Sequence, residues 1–134
     1  MKARDIINIL EKDRRFFDTE IRFILSPHTK IDEVRKYLFE NGFKIIKEDM
    51  CIDEGKFYTV MEAKYIGEPV SHTEKELLFG KYMIDNKNPI LYKYLEREKK
   101  KYTDIIANER LNGIRRNELK QRLDIIEETI NEMQ

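Results

Sequence analysis

Few side chains in this 134-residue sequence have both the type and the spacing to do chemistry. Cys51 is the only cysteine, so the chain offers neither an intrachain disulfide nor a multi-thiolate zinc site. It stands between Met50 and Ile52 in a β-prone run, where a small buried or half-buried side chain with no reactive role is expected. The two histidines, His28 and His72, are too far apart to form a helical metal pair. There is no glycine-rich phosphate loop and no motif for a serine or cysteine nucleophile, which argues against an enzyme complete in itself. Two candidates remain. His28 directly follows Pro27 at the end of a short apolar run, a place where α/β sheets present ligand-contacting residues. Lys99, Lys100, Lys101, Arg115 and Arg116 form two short cationic runs that could meet phosphates if the chain folds back between them. Glu96, Glu98, Asp104, Glu109 and Glu118 are interspersed, so a solvated mixed-charge face competes with that reading. His72 is expected to be a solvated residue in the first turn of a helix.

The elements that must position these residues follow from period and punctuation. Ile6, Ile7, Ile9 and Leu10 among charged neighbours predict a helix from about Ala3 to Asp13. Ile21 to Leu25 reads as a short buried strand stopped by Ser26-Pro27. Thr29 through Asp32 has the spacing of a helix N-cap, and Ile31, Val34, Tyr37 and Leu38 share one face up to Asn41-Gly42. Phe43 to Ile52 and Lys56 to Tyr65 are β-prone runs joined by Asp53-Glu54-Gly55, which predicts an antiparallel hairpin. After Gly67-Glu68-Pro69 no β-rich run recurs. Ser71 through Glu74 and Asn88-Pro89 read as two helix starts. Leu91, Leu95, Glu98, Tyr102, Ile105 and Glu109, and then Leu119, Leu123, Ile126, Ile130 and Met133, alternate steps of four and three as coiled-coil seams do. Asn112-Gly113 between them reads as a helix stop, so the two segments are expected to fold back as an antiparallel hairpin.

The balance of 26 Lys+Arg against 26 Asp+Glu removes any bulk attraction to nucleic acid and leaves local patches as the only route. At 40% hydrophobic the chain can bury a core. Its apolar runs fall far short of the ~20 residues of a membrane span, and a cytoplasmic protein is expected.

The run Val34-Arg35-Lys36-Tyr37-Leu38-Phe39-Glu40-Asn41-Gly42-Phe43-Lys44-Ile45-Ile46, followed by Glu48-Asp49 and Asp53-Glu54-Gly55-Lys56-Phe57-Tyr58, resembles the bacterial TrmK-type tRNA adenine N1-methyltransferase family. Leu78-Phe79-Gly80, Asn88-Pro89 and Tyr94-Leu95 extend the resemblance over nearly the whole chain. Ser26-Pro27-His28 stands where the family usually has Gln-Pro-Asn, and Lys81 replaces a common proline. The family builds its S-adenosylmethionine site from an acidic, glycine-containing loop after its first strand and a glycine-rich segment after its fourth, and neither is in this sequence. The resemblance therefore implies the back half of the fold, with no cofactor expected for this chain alone.

The fold class that follows is α+β: a three-stranded remnant of a Rossmann-like methyltransferase sheet with flanking helices, then an antiparallel helical hairpin. Residues 1–69 would be the methyltransferase-like part and 70–134 the helical extension. The resemblance further implies that the last strand lies antiparallel between the other two, leaving the Ile21 to Leu25 strand with an unpaired edge. A second copy of the chain, a separately encoded N-terminal half, or the local N-terminal helix would cover it. Two functions are consistent with this. One is a methyltransferase fragment, inactive alone, that contributes tRNA or partner binding, with Pro27 and His28 on the substrate side and the five cations toward RNA. The other is a non-enzymatic module that self-associates through the hairpin and the open strand edge.

Overall fold

The computed structural model of the chain describes residues 1–108 and 110–134. It divides into two compact units, Met1–Met83 and Ile84–Gln134. The first contains α1 (Ala3–Lys12), a short 3-10 turn (Arg14–Phe16), β1 (Arg22–Leu25), α2 (Ile31–Glu40), β2 (Phe43–Asp53), β3 (Lys56–Tyr65) and α3 (Glu74–Phe79). α4 (Lys81–Asp85) carries the chain onward to α5 (Pro89–Ile106) and α6 (Gly113–Met133).

The sheet is antiparallel throughout, in the order β1-β3-β2. The last strand therefore lies between the other two, as the family resemblance implied. The β2–β3 hairpin closes tightly because Glu54 (φ 50°) and Gly55 (φ 77°) both take left-handed backbone, which lets Asp53 pair with Lys56 across a two-residue turn. A register shift between Ile45 and Lys47 absorbs one residue, after which Glu48 faces Met61 across the ladder.

α1 and α2 both pack on one face of this sheet. Ala3, Ile6 and Leu10 of α1 and Val34 and Leu38 of α2 form one cluster with Phe23, Phe43, Met61 and Ala63 of the strands. Phe43, 0% exposed, has Phe17 (5.0 Å), Tyr65 (5.4 Å) and Phe23 (5.6 Å) edge-on around its ring. Next to this cluster Asp13 accepts hydrogen bonds from the Arg15 side chain and backbone, which hold its carboxyl down at about pH 2 and raise the guanidinium. Burial, with Glu11 nearby, raises the Tyr37 hydroxyl.

Five local expectations are corrected. The Ile21 to Leu25 run is not a wholly buried strand: Phe23 points toward α1 and α2, but Ile24 is 71% exposed because it faces the side of the sheet that neither helix covers. Thr29 does not cap α2; its hydroxyl accepts from the Ala3 amide at 3.2 Å, and Lys30, with φ 42°, occupies the cap position. The capping box of α3 is built by Thr73 and Glu76, not by Ser71 and Glu74. Asn112-Gly113 starts α6 instead of stopping α5: the Asn112 side chain accepts from the Arg115 amide at 2.8 Å. Cys51 is exposed, because it sits on the sheet face that neither helix covers, opposite Tyr58.

The second unit is a pair of helices. Asn88 caps α5 by accepting from Ile90 (2.9 Å) and Leu91 (3.1 Å), with Pro89 in the first turn as expected. The Gln134 side chain donates to the Tyr92 hydroxyl at 3.1 Å, which brings the end of α6 to the start of α5, so the two run antiparallel. Leu91, Leu95 and Glu98 of α5 are buried, as are Leu119, Ile126, Ile130 and Met133 of α6. Ile105 is 36% exposed, so the apolar seam opens toward the connection. Glu109, placed in that seam by its spacing, lies outside the described residues.

Candidate functional site

The loop after β1 is fixed from three directions. Pro27 is fully buried. The Ser26 hydroxyl donates to the Thr59 carbonyl at 3.2 Å, and the His28 amide donates to the Met1 carbonyl at 2.8 Å. The exposed His28 ring accepts from the Met1 amino group through Nδ1 at 3.2 Å and stands edge-on to Tyr58, with centroids 6.1 Å apart. An accessible imidazole beside a phenol can donate and accept hydrogen bonds toward a polar ring edge. Among the described residues no cluster of His, Cys, Asp and Glu could hold a metal ion.

Tyr58 belongs to the sheet face that α1 and α2 leave open. By cross-strand register this face also carries Ile24, Val60 (42% exposed) and Glu62, the last within 3.9 Å of Arg22. An unpaired β1 edge therefore meets a partly apolar, uncovered face.

Behind the sheet lies a feature that spacing did not reveal. Arg35 and Glu48, 2% and 1% exposed at their side chains, form a buried ion pair. Arg35 Nε donates to both carboxylate oxygens at 3.1 and 3.2 Å, and its Nη2 makes a further short bond to Oε2. Its Nη1 donates to the Leu77 carbonyl at 2.6 Å, which ties α3 to α2. Gly80 closes the arrangement: at φ 87°, a Cβ there would come within 2.8 Å of Glu48. The available signal was that Arg35 shares the inward side of α2 with Ile31, Val34 and Leu38. His72 is half-buried and precedes the cap of α3; it donates from Nδ1 to the Val70 carbonyl and stacks on Phe39 at 5.6 Å. It is a packing residue, not a solvated one.

In the helical unit, Lys99–Lys101 and Arg115–Arg116 border the same connection. Three consecutive residues spread around α5, so the lysines have different neighbours. Lys100 pairs with Asp104 (3.2 Å) and Lys101 with Glu98 (3.8 Å), while Lys99 has no carboxylate partner among the described residues. Arg115 lies 3.4 Å from Glu118. Arg116 is half-buried and donates to the Asn108 carbonyl at 2.7 Å, so it closes the connection. Burial, with Glu98 beside it, raises the Tyr94 hydroxyl on the same helix.

This mixed α/β arrangement, an antiparallel sheet with its last strand between the other two and helices on one face, matches part of Rossmann-like methyltransferase structures. A crystal structure from Streptococcus pneumoniae, of a protein assigned as a tRNA (m1A22) methyltransferase, superposes with a TM-score of 0.85 at 23% identity, over 97% of this chain and 58% of that one. The family model for TrmK, tRNA (adenine(22)-N(1))-methyltransferase, matches residues 1–134, and the chain belongs to this family. Mycoplasma capricolum TrmK, solved with S-adenosyl-homocysteine, gives a TM-score of 0.81 at 23% identity, covering 99% of this chain and 57% of that one. A Mycoplasma genitalium protein assigned as a tRNA methyltransferase is 25% identical over 118 residues, 81% of this chain and 53% of the relative. The chain thus spans about half the length of that curated relative and 56–60% of the solved structures.

The β1–α2 loop beside His28 offers no glycine-lined cradle for an S-adenosyl nucleoside. The β1–α2 connection contains no glycine, and its Ser26, His28 amide and Thr29 groups are engaged in hydrogen bonds within the chain. Gly42 and Gly55 serve turns, and Gly80 packs on Glu48. No helix among the described residues is long and apolar enough to cross a membrane.

Proposed function

We propose that residues 1–134 are the C-terminal part of a tRNA (adenine N1) methyltransferase that does not transfer methyl groups alone and contributes the substrate-side loop and the RNA-holding helices. One observation carries this reading. The family match runs over the whole chain, yet the sheet it describes stops at an unpaired β1 edge beside an uncovered face holding Ile24, Val60 and Tyr58. Exposed apolar surface next to a free strand edge is where another strand and helix dock. The docking element is the front part of the methyltransferase fold, supplied in the same chain or by a separately encoded half, in preference to a second copy forming a homodimer. It brings the S-adenosylmethionine contacts that residues 1–134 lack. Pro27 and His28 then stand at the boundary of the completed site, with His28 toward the substrate.

Functionally, residues 1–69 belong to the methyltransferase-like α/β domain and 70–134 to a coiled-coil extension that grips tRNA in the cytoplasm through Lys99, Lys100, Lys101, Arg115 and Arg116. Lys99 supplies the freest phosphate contact, Lys100, Lys101 and Arg115 exchange their carboxylate partners for phosphates, and Arg116 shapes the connection between the helices. The test is salt-dependent tRNA binding. The triple variant Lys99→Ala, Lys100→Ala, Lys101→Ala should lower the slope of log affinity against log salt by about 2 to 3, roughly one per lost phosphate contact. An unchanged slope would reduce these lysines to a solvated face.

A further inference from the structure

The neutral total charge conceals a strong asymmetry in the helical unit. Between Arg97 and Arg122 the sequence carries nine Lys/Arg and four Asp/Glu, whereas the remainder of the unit, 84–96 and 123–134, carries two Lys and six Asp/Glu. Because α5 and α6 run antiparallel, the first stretch is one end of the pair and the second is the other. The connection end is basic and the opposite end acidic, so a polyanion is drawn to the connection.

At that basic end stands Ile114, 77% exposed, the most exposed of the large apolar side chains. It follows Asn112-Gly113 in the first turn of α6. Nine residues separate it from Leu123, which at 100° per residue places it roughly 180° around the helix, away from the side that packs on α5. A β-branched apolar residue there serves neither the packed seam nor helix propensity, since Ala, Lys or Glu would favour the helix more. Arg115 follows it directly and Arg110 precedes it by four residues, and both are exposed. An apolar tip at the basic end of the helix pair, with the exposed Glu118 one turn on and paired with Arg115 at 3.4 Å, has the chemistry to meet a nucleic acid whose phosphates are drawn to that end and whose unstacked base packs on the tip.

We infer that Ile114 is a base-contacting residue, packing against an unpaired, splayed base of a structured RNA while the cations of that end hold its phosphates. This rests on the tRNA-binding reading above and adds to it a contact that discriminates looped RNA from uniform duplex.

The experiment is fluorescence anisotropy of the full chain with a labelled tRNA transcript and with a fully paired RNA duplex of matched length, each across a salt series. Ile114→Ser should bind the tRNA about five- to tenfold more weakly with an unchanged salt slope, because no phosphate contact is lost. Ile114→Leu should bind as the native chain does, and the duplex should not distinguish the three proteins. Circular dichroism should show the same helix content in all of them, as expected for a solvent-facing position. Native-like tRNA affinity in Ile114→Ser, or an equal loss on the duplex, overturns the base contact. If the lysine variant weakens binding while Ile114→Ser does not, the base contact fails and the phosphate reading stands. If the native chain shows no salt-sensitive binding, both fail together.

Discussion

Replacing Arg35 by Ala should remove about 3–5 kcal/mol of folding stability, measured by urea denaturation, because it leaves the Glu48 carboxylate buried with no counter-charge. The pair lies almost entirely out of water, and the same guanidinium also satisfies the Leu77 carbonyl at 2.6 Å. The double variant Arg35→Met, Glu48→Leu separates the two contributions. Removing both charges together should recover most of the loss, since apolar side chains of similar volume often replace a buried ion pair at little cost. What stays lost should be about 1–3 kcal/mol for the unpaired Leu77 carbonyl. Hydrogen exchange should localise this residual effect to α3. If Arg35→Ala is as stable as the native chain, the pair does not hold α3 on α2.

Phe43→Ala is the second large expected effect, at about 3–5 kcal/mol for a fully buried ring. Phe43 opens β2 at 0% exposure and touches three aromatic rings, of which Phe23 belongs to β1 and Tyr65 ends β3. The cavity would therefore loosen both outer strands against the central one and, through β1, the mooring of the Ser26-Pro27-His28 loop. Because Phe43 and Phe23 share a contact at 5.6 Å, Phe43→Ala and Phe23→Ala should not add: the double variant should cost less than the two single costs together. Strict additivity in chemical denaturation would mean that the two rings act independently.

Much of the architecture was legible because local signals and long-range packing agree. Gly55 dictated the hairpin turn, Asn88-Pro89 the start of α5, and the spacing of Ile6 and Leu10 the buried side of α1. The strand order came from family resemblance, since nothing local in Arg22–Leu25 says which strand it pairs with. The errors share a cause. Thr29 has the right spacing for a cap, but a hydroxyl bonds the nearest donor in space, and that donor is the amide of Ala3, distant in sequence. Asn112-Gly113 suits a helix stop or a helix start equally well, and the Arg115 amide decides the matter. The pairing of Arg35 with Glu48 was not readable from the sequence, because charge usually means exposure; only the packing of α2 on β2 shows that they satisfy each other.

Of the candidate site, the position of Pro27 and His28 at the end of β1 was readable from the sequence, but Tyr58 as the neighbour of His28 was not. That pairing depends on β3 lying next to β1. The cationic runs were visible too. Their division into freer side chains and Arg116, which closes the α5–α6 connection, required the fold.

If residues 1–134 form part of a methyltransferase fold without a cofactor site of their own, isothermal titration of S-adenosylmethionine into the purified chain should give no saturable heat at micromolar concentrations. Stoichiometric micromolar binding would refute the proposed division of the site.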